Sequence, residues 1–104
     1  MKKVKFWIAK PDNGGRLIEI EGRLLHLHGF DFVVHRPIQG ENASVRVSLS
    51  GYQISEYSTG SKFIREYKKQ SDAIEHAKLF FTNFGQAGID RIKKAIAVSP
   101  KVNP

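Results

Sequence analysis

A chain of 104 residues with 17 Lys+Arg against 10 Asp+Glu reads as one small domain with a formal charge of +7. Hydrophobic residues make up 40% and aromatics 11%, enough for a modest core and too much for a disordered tail. With no cysteine, a disulfide framework, a thiol nucleophile and a thiolate zinc site are excluded, and no apolar run approaches the roughly 20 residues of a membrane-spanning helix. The stretch from Met1 to Phe6 is basic, but the apolar residues after it end at Lys10-Pro11. No secretory signal is therefore expected, and the protein is placed in the cytoplasm.

The first two-thirds of the chain has period two. Val4, Phe6 and Ile8 alternate with Lys3, Lys5 and Trp7, which predicts a strand with one apolar face. Pro11-Asp12-Asn13-Gly14-Gly15 ends it. A second strand is expected from Leu17 to Glu21, a tight turn at Gly22, and a strand or one helical turn from Leu24 to His28. Phe30, Phe32 and Val34 then alternate with Asp31, Val33 and His35 in a strand that stops near Pro37. After a loop from Gln39 to Asn42, Val45, Val47 and Leu49 predict a half-buried strand. Ser50-Gly51 is a candidate hairpin turn, and Tyr52 to Tyr57 its return strand. A turn at Ser58-Thr59-Gly60-Ser61 leads to a strand from Lys62 to Tyr67, so Ser44 to Tyr67 reads as a three-stranded meander.

The period changes at Ser71, whose hydroxyl suits the cap of a helix beginning at Asp72. Ile74, Ala77, Phe81 and Phe84 form one apolar stripe, and Gly85 is placed as a C-terminal cap. A short second helix is predicted from Ile89 to Val98, with Ile89, Ile92 and Ile96 as its seam. The expected fold is thus α+β: an antiparallel sheet of five to seven strands followed by one long and one short C-terminal helix. Residues 1–98 form the domain, and 99–104 are a tail expected to fray. Phe30, Phe32, Val34, Val45, Val47, Ile54, Ile74, Ala77, Phe81 and Ile92 are the expected core.

Charge is the strongest functional signal. The excess concentrates at the first strand, around the last strand and the approach to the helix, and near the C-terminus. A basic surface attracts polyanions, and each phosphate it neutralises releases counterions. Trp7 lies among the first group, and an exposed ring there would stack on a base. The candidate nucleic-acid or partner contacts are Lys2, Lys3, Lys5, Trp7, Arg46, Gln53, Lys62, Arg65, Lys68, Lys69, Lys93 and Lys94.

Four histidines raise other chemistry. His26 and His28 would share a face on a strand, with His35 and Asp31 nearby, but no convincing ligand spacing completes a metal site and none is expected. His35-Arg36 beside Glu56 would supply a general base and a phosphate-binding cation, the minimum for ribonuclease chemistry. Ser58-Thr59-Gly60-Ser61-Lys62 has the ingredients of a phosphate loop in the wrong order and reads as a plain turn. No catalytic signature is present and no cofactor is expected.

Val45 to Phe84, three strands followed by Lys-Gln-Ser-Asp-Ala-Ile-Glu-His-Ala, resembles the sheet-reading DNA-binding modules of phage integrase arm-binding regions and plant AP2-type factors. That resemblance implies a sheet entering the major groove, with Arg46, Gln53, Ser55 and Arg65 facing DNA. The segment from Tyr52 to Gly60, followed by Asp-Ala-Ile-Glu, is also similar to small uncharacterised proteins of phages and mobile elements. The expectation is a non-enzymatic basic module engaging nucleic acid or a complex containing it. The alternative is a phage-encoded, anti-CRISPR-like inhibitor that docks on a host nucleic-acid-handling or defence complex. Pairing of the first strand with its copy would make a homodimer.

Overall fold

The computed structural model describes residues 1–9, 17–39 and 46–103. In chain order the elements are β1 (Lys3–Ala9), β2 (Leu17–Leu27), β3 (Phe30–His35), β4 (Ile38–Gln39), β5 (Arg46–Val47), β6 (Tyr52–Glu56), β7 (Lys62–Tyr67) and α1 (Gln70–Val98). Five strands form one sheet in the order β1-β2-β3-β6-β7, every neighbouring pair antiparallel, while β4 and β5 pair separately as a two-residue ribbon. The fold is α+β, with five strands in the main sheet. None of the described helices is long and apolar enough to cross a membrane.

Gly22 is not a turn. β2 runs straight through it for 11 residues, and Gly22 is buried opposite Val4 and His35. A Cβ there would sit 2.4 Å from Val33 Cγ1 and 2.6 Å from the Val34 carbonyl, so glycine serves close strand approach. The chain reverses instead at His28-Gly29, where both residues have positive φ (52° and 85°), the backbone that a tight two-residue hairpin requires. His28 therefore leaves the strand and stacks on Phe81 at 4.3 Å, while His26 contacts Asp31 at 2.8 Å. The two histidines do not converge.

The expected meander from Ser44 to Tyr67 is also corrected. β6 pairs with β3, not with the segment before Gly51, and the strand at Val47 is two residues long and pairs with β4. The alternation of Val47 and Leu49 has no core to face: Leu49 is 96% exposed. Ser48 and Ser50 close a local turn instead, with Ser48 Oγ donating to the Ser50 carbonyl at 2.9 Å. The expected core residue Val45, the Pro11–Gly15 turn and the Gly40–Asn42 part of the expected loop lie outside the described residues.

α1 opens two residues earlier than expected, at Gln70, with Lys69 in the cap position and no side-chain cap, so Ser71 does not cap it. The second helix expected from Ile89 is not a separate short element, but the helix does break at Gly85, where the sequence placed its end. Gln70–Val98 is one 29-residue element whose backbone leaves helical geometry only at Gly85 (φ 53°, ψ −133°), a conformation open to glycine. This single-residue kink lets both halves press on the same sheet face. Ala73, Ala77, Phe81 and Ile92 are buried there with Phe32, Val34 and Ile54. Phe84, expected on that stripe, is exposed, and Phe30 and Ile74 are only half-buried. On the other sheet face, Phe6, Ile8, Ile20 and Val33 form a second core, flanked by Ile38 and Tyr57.

The tail does not fray over its described residues. Val102 and Asn103 donate backbone N–H to the Ser58 carbonyl, and Asn103 is buried. Its side chain accepts from Trp7 N–H at 2.7 Å and donates to the carbonyls of Trp7 and Tyr57 at 2.8 and 2.6 Å. Gly60 (φ 68°) packs against the same strand, where a Cβ would meet Trp7 O at 2.6 Å and Ile8 Cα at 2.8 Å. The sheet thus curls until the outer edge of β1 meets the β6–β7 turn, and one amide side chain clasps the seam. At Trp7 that edge is taken, which removes these backbone groups from the strand pairing expected of a homodimer.

Candidate functional site

An open cleft of about 510 Å³ lies where the β1–β2 end of the sheet meets the start of α1. Antiparallel register builds it. Lys3 of β1 lies directly opposite Arg23 of β2, and Arg23 lies opposite Val34 of β3, so alternation places Lys3, Arg23 and Val34 on one sheet face. Arg36 enters just past the end of β3, Tyr52 from β6, and Gln70 from the first turn of α1. Lys3, Arg23 and Arg36 face one lining carboxylate, Glu21, leaving an excess of two positive charges.

One of these side chains is oriented before any ligand arrives. Arg36 lies over the Tyr52 ring, Cζ 4.2 Å from its centroid, and donates from Nη1 to the Gly51 carbonyl at 3.2 Å. Lys3 Nζ is 3.5 Å from Glu21 Oε1, with both side chains more than half exposed, so this pair is weak and readily exchanged. Behind them His35 is buried, and burial holds its imidazole below the ordinary pKa, an effect that the Arg36 carbonyl opposes. That carbonyl accepts from Nδ1 at 2.8 Å, so Nε2 accepts from the Ser55 hydroxyl at 2.7 Å. His35 is neutral and fixed as one tautomer.

The pairing of His35 with Glu56 is corrected by this geometry. His35 lies opposite Gln53, whereas Glu56 lies opposite Phe32, further along the strand. The Glu56 carboxylate accepts from the backbone N–H and hydroxyl of both Ser58 and Thr59 at 2.8–3.0 Å, which organises the β6–β7 turn. Among the described residues no three His, Asp or Glu side chains are placed to hold a metal ion.

The other expected contact residues are dispersed. Lys2 is exposed just before β1, and Lys5 and Trp7 share the face of Lys3, opposite Glu21 and Glu19. Trp7 is 40% exposed, whereas Tyr57 stacks with Phe6 and Tyr67 with His76. Gln53 is half-buried and Ser55 fully buried, so Ser55 faces no partner. Lys62 and Arg65 are exposed on β7. The Tyr67 hydroxyl accepts from Arg65 Nε and raises the guanidinium pKa further. Lys68 and Lys69 are exposed immediately before Gln70, which lines the cleft, but neither lines it. Lys93 and Lys94 are exposed on the second half of α1, and the Arg46 side chain lies outside the described part of the molecule.

Among the described residues the acid–base contacts are Lys3–Glu21 and His26–Asp31. Among these contacts of the described residues Lys3 is the one lysine or arginine that meets a carboxylate, and only Lys3 of the expected set lines the cleft. Arg23 and Tyr52 enter through strand register, and Arg36 through the stacking that aims it. The one sequence signal for Arg23 was its alternation with Glu19 and Glu21, and a supposed break at Gly22 concealed it. No protein-family profile, curated protein or solved structure matches the chain.

Proposed function

We propose that the protein is a non-enzymatic basic module that binds nucleic acid through its phosphates, with the Lys3–Arg23–Arg36 cleft as the centre of the contact. The supporting observation is the convergence of three cations from three different segments on one open concavity with a single carboxylate. Guanidinium groups suit this task because a planar fork of donors matches two phosphate oxygens at once. Lys68 and Lys69 extend the positive surface at the start of α1. Such a module would work in the cytoplasm.

The test is fluorescence anisotropy with labelled duplex DNA, single-stranded DNA and structured RNA over a range of salt concentrations. The cleft's excess of two positive charges together with Lys68 and Lys69 neutralises about four phosphate charges, which predicts that log affinity falls with log salt at a slope of about −3.6. Arg23→Gln should weaken binding to all sequences alike and reduce that slope by about 1. No binding to any of the three at low salt would end this reading.

A further inference from the structure

We infer that the cleft takes a terminal phosphomonoester, the phosphorylated end of a nucleic-acid strand, in preference to an internal phosphodiester. This rests on the nucleic-acid reading and specifies what its central site recognises. The argument is one of charge and donor count. An internal phosphodiester brings one negative charge and two free oxygens. A phosphomonoester brings close to two charges at neutral pH and three acceptor oxygens. The cleft offers an excess of two positive charges from Lys3, Arg23 and Arg36 over Glu21, which matches the dianion.

Geometry supports the same assignment. Arg36 is held by Tyr52 and the Gly51 carbonyl, and a guanidinium already oriented loses less freedom on forming a fork with an oxyanion. Arg23 sits across from Lys3 in register, so two cations flank the site from adjacent strands. Neutral His35 lies behind, with both ring nitrogens engaged, and adds neither charge nor a free acceptor to repel the ligand. The volume of about 510 Å³ accommodates a terminal nucleotide.

The experiment compares oligonucleotides of one sequence carrying a 5′-phosphate, a 3′-phosphate or only hydroxyl ends, with a free nucleoside 5′-monophosphate as competitor. At least one phosphorylated end is expected to bind the full-length protein about tenfold more tightly than the hydroxyl-ended strand. Arg23→Gln should abolish that difference, whereas Lys93→Gln, an equal loss of charge on the far half of α1, should leave it intact. Arg36→Lys, which keeps the charge and loses the fork, should reduce it. Equal affinity for phosphorylated and hydroxyl ends would overturn this inference and leave nucleic-acid binding standing. Competition by the monophosphate, lost in Arg23→Gln, with no oligonucleotide bound would support the cleft's chemistry and remove the nucleic-acid reading. Silence in every arm would dismiss both.

Discussion

The two halves of the sheet are made from similar strands and put to different use. On β3, β6 and β7 the helix covers one face, and Phe32, Phe63, Phe80 and Phe81 interlock at centroid distances of 4.6–6.2 Å. On β1 and β2 the same face carries Lys3, Lys5, Trp7, Glu19, Glu21 and Arg23, all exposed. The difference shows how one curled sheet can separate tasks. Its covered half supplies stability, and its open half presents charge beside the place where the cover begins. The open half still needs its own anchor, which it finds on the opposite face in Phe6, Ile8, Ile20 and Val33, and at the seam clasped by Asn103.

The sharpest way to break this contrast is in the covered half. Phe81→Ala should cost about 3–5 kcal/mol, measured by urea denaturation, because the buried ring packs on His28, Phe30, Phe32 and Phe63 and its loss leaves a cavity among them. An unchanged midpoint would show that α1 is not the cover described. At the seam between the halves, Gly60→Ala should cost about 2 kcal/mol through its positive φ, and more where the new Cβ meets the backbone of Trp7 and Ile8. Asn103→Ala should cost about 1 kcal/mol and, more tellingly, expose the Trp7 amide to hydrogen exchange while β3 and β6 stay protected. Uniform loss of protection across the sheet would mean that the two halves do not open separately.

The smallest effect concerns pH. Burial holds folded His35 below its ordinary pKa of 6.5, so between the two values the unfolded chain binds more protons than the folded one. Stability is then full above about pH 6.5 and declines as pH falls through that window, levelling off below the folded pKa. Urea midpoints from pH 8 to pH 5 should show the decline in the native protein and a flatter profile in His35→Gln, which keeps a donor and an acceptor. Identical profiles would mean that His35 is not the buried titrating group.

Local pattern carried much of the covered half. Period two marked Phe32, Val34 and Ile54, and the helical stripe marked Ala77, Phe81 and Ile92, because burial on one face writes itself directly into apolar spacing. The same signal misled at Val47 and Leu49, where alternation meets solvent, since spacing records which residues share a face and not whether anything covers it. Gly22 misled for a related reason. Glycine marks turns and close approaches alike, and only the neighbouring strand distinguishes them. At the cleft, Lys3 was legible from its place in a cationic strand, whereas Arg23, Arg36 and Tyr52 were not, because they become neighbours through pairings that join distant segments.

By itself the sequence determined the class of fold, the helix and its buried stripe, the positive balance, and the exclusion of thiol chemistry. These depend on composition and on spacing within single elements. Tertiary structure alone decided that β6 joins β3, that Asn103 seals the edge of β1, and that three cations share one cleft. Each of those is a contact between residues far apart in the chain. Register and curl set such contacts, and no local periodicity encodes them.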